Sequence, residues 1–474
     1  MRSKEVTIVG AGPAGLGAAI ELLKNYIKDI LIIDMNSKPG GLSRTEVFEN
    51  NRFDIGPHRF FTKNKEINKL WHEILGNDFK PVKRFSRIYY NNKYFNYPLK
   101  PFNALKNLGF LESSYAIISY ILSQIKINNN EIVSFEDWVS KHFGEKLYKT
   151  FFKTYTEKVW GIDCKNIGTD WAAQRIKGLN LYKAILDALN PTKNNKSAKT
   201  LVEEFDYPIY GTGMMYERIS GKICKQGGEF LFNTTVKKVN MKDNKIISIF
   251  VNNNEKEFEI PVETLFSSIP LTRFIESMKP EVDENVLAAT RELFFRDHIT
   301  VNLIIDNDKL FKDQWIYVHS REVKMSRLAN YNNFSPYMPA NKNTTVVSVE
   351  YFVFKNDVIW NMSDKDIIEL AKEELNYLNL VNRKLIKNGF VVRETESYPT
   401  YFLGFEKYYS IVSNFVSSIS NLQCIGRGGM YKYNNQDHSL YTGLLAAKNY
   451  CGADYNIWNV NIDAEYHENA KRYE

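Results

Sequence analysis

The run Glu5-Val6-Thr7-Ile8-Val9-Gly10-Ala11-Gly12-Pro13-Ala14-Gly15 decides the fold of this 474-residue chain. Residues 5 to 9 read as a buried strand, residues 13 to 25 as a helix, and Ile30 to Ile33 as a second strand that ends at Asp34. Together they make a βαβ unit of about 30 residues, with an acid close to the ~20-residue offset of dinucleotide-binding folds. Each glycine has its own duty. Gly10 permits the tight turn, Gly12 lets backbone approach a pyrophosphate, Gly15 lets the helix pack on the strand, and Asp34 accepts from a ribose hydroxyl. The competing reading is a glycine-rich turn in an ordinary α/β sheet, which the strand, helix and acid in register disfavour.

Composition bounds the rest. At 44% hydrophobic and 25% charged the chain is ordinary globular material, which excludes disordered, collagenous and coiled-coil classes. The unusual quantity is 14% aromatic residues. Lys and Arg number 62 against 55 Asp and Glu, a formal +7, too mild and too unclustered for a nucleic-acid binder. Cys164, Cys224, Cys424 and Cys451 lie far apart, which fits a reducing, cytoplasmic setting. The seven histidines form no ligand cluster, so no metal is expected. The first strand starts too early for a secretory signal. Leu108 to Ile125 is apolar but falls short of the ~20 residues of a membrane span, and is read as a buried helix in preference to a membrane dip.

After the second strand comes Lys38-Pro39-Gly40-Gly41-Leu42-Ser43-Arg44. A second glycine pair so soon after the ribose acid resembles flavoproteins of the amine oxidase and protoporphyrinogen oxidase class. The resemblance implies FAD in the fold, with Gly41, Ser43 and Arg44 beside it. The fold class expected is α/β: a Rossmann-like FAD-binding domain with an inserted helical substrate domain and an antiparallel β-sheet domain. In chain order we expect FAD-binding residues 1–60, a mainly helical substrate domain 61–205, FAD-binding residues 206–275, a sheet and substrate domain 276–420, and FAD-binding residues 421–474. Strands over 228–262 rejoin the nucleotide domain, and Val236 is expected near the adenine, as in many flavoproteins of this class.

Four further blocks carry chemistry. The first is Gly56-Pro57-His58-Arg59-Phe60-Phe61-Thr62. The second runs Phe151-Phe152-Lys153-Thr154-Tyr155, then Trp160, Trp171 and Arg175. On a helix Phe151 and Tyr155 share a face on which a nucleobase can stack, and Arg175 offers a fork of donors to a diphosphate. The bland reading is an aromatic core helix with a surface arginine. The third block comprises Ser326-Arg327, Ser335-Pro336-Tyr337 and Ser397-Tyr398-Pro399-Thr400. The fourth is Gly426-Arg427-Gly428-Gly429, then Tyr433 and Asn435-Gln436-Asp437-His438-Ser439, a glycine-rich strand end entering a helix. Its positive end suits a negatively polarised reduced flavin. A pyridine-nucleotide site competes for Gly426 to Gly429, but no ribose acid follows.

All four blocks resemble UDP-galactopyranose mutases, in order, from residue 5 to about 450. The resemblance implies His58 and Gly56 beside the flavin. Phe151 and Tyr155 correspond to a uracil-stacking pair, Trp160 to a pocket tryptophan, and Arg175 and Arg327 to the diphosphate arginines. Tyr337, Tyr398 and Tyr433 would contact substrate, and Gly426, Arg427, Asn435, Gln436 and Asp437 the cofactor. The chain departs from the family at Tyr207 to Met215, which is poorer in glycine, and near Val202, where those enzymes carry asparagine. The activity implied is interconversion of pyranose and furanose forms of a nucleotide-diphosphate sugar, through attack of reduced flavin N5 on the anomeric carbon, with Arg175, Arg327 and His58 as catalytic groups. NAD(P)H is a candidate reductant and a homo-oligomer a candidate assembly. The alternatives are an FAD-dependent oxidoreductase of the protoporphyrinogen oxidase or amine oxidase type, and a noncatalytic flavin-binding partner.

Overall fold

The computed structural model describes residues 3–461 apart from 98, 100, 127–131 and 170–203. Strands are numbered along the chain. The nucleotide-side sheet has the order β13 (Met278–Lys279), β10 (Thr234–Lys242), β11 (Lys245–Asn253), β12 (Lys256–Ser267), β1 (Lys4–Val9), β2 (Ile30–Ile33) and β9 (Glu229–Leu231), with β19 (Leu422–Cys424) also on β12. β1 runs parallel to both β2 and β12, as a βαβ crossover requires. The helix Pro13–Lys24 returns over this sheet and packs against the C-terminal helix Gln436–Tyr450. Small residues bring the two helices together: a Cβ added at Gly443 would lie 2.0 Å from the Ala14 carbonyl oxygen.

The second sheet has the order β18 (Ile386–Pro399), β14 (Phe295–Ile305), β17 (Thr345–Val353), β16 (Arg327–Asn330), β15 (Trp315–Val318), β6 (Ser86–Tyr90) and β7 (Lys93–Asn96). Every residue of β14 and β17 is buried, so both faces of this sheet are covered. Its pairings are antiparallel except β15 with β6. A hairpin of β3 (Thr45–Phe48) and β4 (Asn51–Asp54) and a pair of β5 (Phe79–Lys83) with β8 (Glu204–Pro208) complete the strands.

The segment 61–205, expected as a mainly helical substrate domain, also supplies strands: β6 and β7 extend the second sheet and β5 pairs with β8. Short strands between long helical stretches do not stand out in aromatic, aperiodic text. One expectation needs correction: the apolar run from Leu108 is not a buried helix. The helix Phe110–Lys126 packs on its neighbours through Ala116, Ser119 and Ser123, and leaves its large apolar side chains exposed. Among the described residues no helix is long and apolar enough to cross a membrane.

Candidate functional site

The first glycine motif has the geometry of a nucleotide cradle. Gly10 has φ +107°, and a Cβ at Gly15 would lie 1.8 Å from the Gly10 carbonyl oxygen, so helix and strand meet with no room for a side chain. Gly12 caps the helix Pro13–Lys24 without any side-chain hydrogen bond, which leaves first-turn N–H groups for an anion. The second glycine pair closes over the first: a Cβ at Gly41 would lie 3.1 Å from the Gly12 Cα. Asp34 is buried, and its carboxylate accepts from the Ala11 N–H at 2.6 Å and the Asn36 N–H at 2.7 Å. Asp34 thus also shapes the loop. β10 begins beside it, with the Thr234 N–H donating to the Asp34 carbonyl, and Val236 follows two residues on, paired with Val251.

The second sheet carries a row of candidate side chains on one face. Residues paired directly across strands share a face, and the register places Tyr317, Arg327, Glu350 and Thr300 in one line across four strands. The Arg327 guanidinium is bidentate on Glu350, Nε to Oε1 at 2.6 Å and Nη2 to Oε2 at 2.5 Å. His298 Nε2 meets the same carboxylate at 2.9 Å. Burial alone would raise the Glu350 pKa, but the Arg327 charge and the His298 bond hold it down at about 2.

The Gly56-Pro57-His58 turn lies against that cluster. Gly56 has φ +84°, and a Cβ there would stand 3.5 Å from Glu350 Oε2 and 3.6 Å from Arg327 Nη2. His58 Nε2 bonds the Leu42 carbonyl at 2.9 Å, which couples this turn to the second glycine pair. Burial, and then the Arg427 charge, lower the His58 pKa to about 4. The ring is neutral at neutral pH, and with Nε2 donating, Nδ1 is an acceptor. Arg44 ties the glycine loop to the sheet through ion pairs with Glu46 at 2.7 Å and with Glu394. Ser43 is buried beside it.

Arg427 stands over Tyr398 and Tyr433, 4.8 and 5.2 Å from their centroids, and those two rings stack at 5.4 Å. Its guanidinium also donates to the Asn434 and Ser397 carbonyls, so it braces the site as well as charging it. Gln436 donates to the Arg59 carbonyl and accepts from the Tyr216 hydroxyl, fixing the His58 turn. Asp437 is buried beside His438, and the Asn435 N–H donates to His438 Nδ1.

The aromatic platform differs from expectation. Phe151 lies in a π-helical turn, Tyr148–Lys153, and is a core residue wedged against Phe95 at 4.8 Å and Tyr90. It forms no open pair with Tyr155, whose ring instead stacks on His319 at 4.9 Å and 8° and meets Tyr317 edge-on. Trp160 is buried with its ring 5.7 Å from Tyr433. Tyr337 does not join the cluster: it is 46% exposed and packs with Tyr210 and Lys80. Trp171 and Arg175 lie outside the described residues.

Sequence reading missed Glu350, His298 and His319, and quoted Arg59 without assigning it a part. Strand alternation could have aligned Glu350 with Arg327, but pairing between strands 23 residues apart is not visible in one chain. His319 is buried, and burial lowers its pKa to about 3. Its Nδ1, like Arg59 Nη1 above Trp315, has no hydrogen-bond partner among the described residues.

Fold and site together define a Rossmann-type dinucleotide-binding protein with a second sheet laid over the nucleotide loop. Residues 8–74 match the family model of the NAD(P)-binding Rossmann-like domain. The whole chain has the fold of UDP-galactopyranose mutase: the reduced enzyme's structure matches 97% of this chain and 98% of its own, with TM-score 0.85 and 20% identity. A protein from Exiguobacterium sp., provisionally assigned as a protoporphyrinogen oxidase, matches 95% of this chain and 99% of its own at TM-score 0.70 and 15% identity. The dTDP-fucopyranose mutase of Escherichia coli is 28% identical over 166 residues. That match spans 34% of this chain and 43% of the relative, so it covers less than half of either.

Proposed function

We propose that the chain is an FAD-dependent nucleotide-sugar mutase, an isomerase that interconverts pyranose and furanose forms of a UDP- or dTDP-linked sugar. The observation that carries this reading is the Arg327–Glu350 pair, its carboxylate buried, with Arg427, His58, Tyr398 and Tyr433 around it beside the dinucleotide loop. Two guanidiniums against one carboxylate, with tyrosine hydroxyls around them, suit a diphosphate and have no evident task around an apolar amine or porphyrinogen.

Gly10, Gly12, Gly15 and Asp34 would hold the adenosine end of FAD, and Gly41 to Arg44, Gly56 and His58 its flavin end. The glycine contacts described above leave the side-chain-free surface such a cofactor needs. Reduced FAD supplies a nucleophilic nitrogen for the anomeric carbon. The protein's own part is orientation and charge. Glu350 occupies Nε and Nη2 of Arg327, which leaves Nη1 without a part in that pair; it would be the nitrogen to meet a phosphate oxygen and would stabilise the departing diphosphate. Neutral His58 would offer an acceptor to the flavin without adding a competing cation. A cytoplasmic setting and NAD(P)H as reductant complete the proposal.

The test is to incubate the protein with UDP- and dTDP-sugars, with and without dithionite, and to separate products by chromatography. A new sugar isomer formed only when the flavin is reduced, with no net oxidation, supports the mutase. Peroxide production from an oxidisable substrate, with no isomerisation of any nucleotide sugar, establishes the oxidoreductase instead.

A further inference from the structure

Arg59 follows His58 on the turn that lies against the Arg327–Glu350 cluster. Gln436 holds it by the backbone carbonyl, so the main chain is fixed while the side chain is not spent on that bond. The guanidinium carbon stands 5.9 Å from the centroid of Trp315, within cation–π range. Trp315 precedes Tyr317 by two residues on β15 and shares its sheet face, and Tyr317 is directly opposite Arg327. Arg59 therefore reaches over the face that carries the Arg327–Glu350 pair. Two N–H donors at this place have no acceptor among the described residues, Arg59 Nη1 and Trp315 Nε1, and both are buried. A buried donor without an acceptor is costly. The rings packed on Trp315, Phe205 and Phe334, offer none.

We propose that Arg59 binds the sugar-bearing phosphate of a nucleotide-diphosphate sugar, a role that rests on the mutase reading above. Charge favours this. Arg327 and Arg427 against Glu350 leave one net positive charge at the cluster, whereas a diphosphate diester brings two negative ones, and Arg59, with no ion pair among the described residues, supplies the second. Position selects the phosphate. Arg59 adjoins His58, the group assigned to the flavin, and the phosphate nearest the flavin is the one joined to the anomeric carbon. When the bond between that carbon and the phosphate oxygen breaks, the electron pair passes to the oxygen, and a guanidinium held against it stabilises the new charge. Trp315 gives the guanidinium an aromatic bed that keeps it over the sheet.

The test is calorimetric titration of the flavin-loaded protein with UDP, UMP, dTDP and dTMP. Arg59→Met should raise the Kd of the diphosphate that the parent binds about tenfold and leave that of the matching monophosphate unchanged. Arg59→Lys, which keeps the charge and loses the planar fork, should recover part of the loss. Flavin absorbance and melting temperature should match the parent in both variants, since the bond from Gln436 goes to the Arg59 carbonyl. If Arg59→Met does not fold, the Arg59→Lys titrations decide in the same way, by a loss confined to the diphosphate. An equal loss for mono- and diphosphate assigns Arg59 to the nucleoside half and overturns the proposal, as does a variant that binds the diphosphate like the parent; both outcomes leave the mutase reading standing. A parent that binds no nucleoside diphosphate overturns the mutase reading itself and this proposal with it.

Discussion

Arg327 and Glu350 sit directly opposite each other on neighbouring strands and meet through two parallel hydrogen bonds, with His298 on the same carboxylate. The carboxylate therefore acts as the mount of the guanidinium. Replacing Glu350 by Gln removes the charge but keeps the shape, leaving a buried cation without its counter-ion. The expected cost is about 3 kcal/mol of stability, together with a loss in kcat/KM of at least tenfold while flavin stays bound. Denaturant titration and steady-state kinetics at one temperature check both, and unchanged turnover would show that Glu350 does not orient Arg327.

Two desolvated histidines set an acid limit. His58 and His319 have folded-state pKa values of about 4 and about 3, below the ordinary 6.5. The unfolded chain therefore binds more protons as pH falls from 6.5, and stability drops through that window. Each histidine should remove about 2 kcal/mol by pH 5, and Glu350 adds to the loss as pH falls from 4.5 toward 2. Urea midpoints at pH 7 and pH 5 measure this. A His58→Gln, His319→Gln double variant should lose most of the difference between them.

The two inner glycines make opposite predictions. A Cβ at Gly15 collides with the Gly10 carbonyl, so Gly15→Ala should destabilise the fold and lower soluble yield. At Gly12 the nearest atom is 3.7 Å away, an ordinary contact, so Gly12→Ala should fold normally and bind less FAD. Flavin absorbance per protein after gel filtration, set beside the melting temperature, separates the two outcomes.

Phe151 and Tyr155 should part company in the same way. Phe151→Ala opens a core cavity and should cost about 3 to 5 kcal/mol without changing UDP affinity in the folded protein. Tyr155→Ala should weaken UDP binding, since its ring lies beside Tyr317 and the Arg327 row. Calorimetric titration with UDP decides, and a weaker affinity in the Phe151 variant would restore it as a ligand contact.

Much of the nucleotide half was legible in the chain because its signals are local. Gly10, Gly12, Gly15 and Asp34 lie within one βαβ unit, where turn, close approach and ribose acid follow from spacing. His58 and Arg427 were found through motifs equally short. Glu350 and His319 were not, since their meaning comes from strands paired across the second sheet. The packing of Phe151 was not legible, because a helical face seen in sequence does not reveal which neighbours fill it, and here Phe95, from a strand 56 positions earlier, lies against it.

The amino-acid sequence by itself determined the dinucleotide fold, the order of its parts and the polar groups available to a flavin and a diphosphate, because backbone sterics and short-range spacing dictate them. Only the tertiary structure decided which arginine is mounted on a carboxylate, which aromatic is core, and that the apolar helix at 110–126 turns its large side chains outward. Those outcomes depend on long-range packing, where each side chain's surroundings come from distant segments.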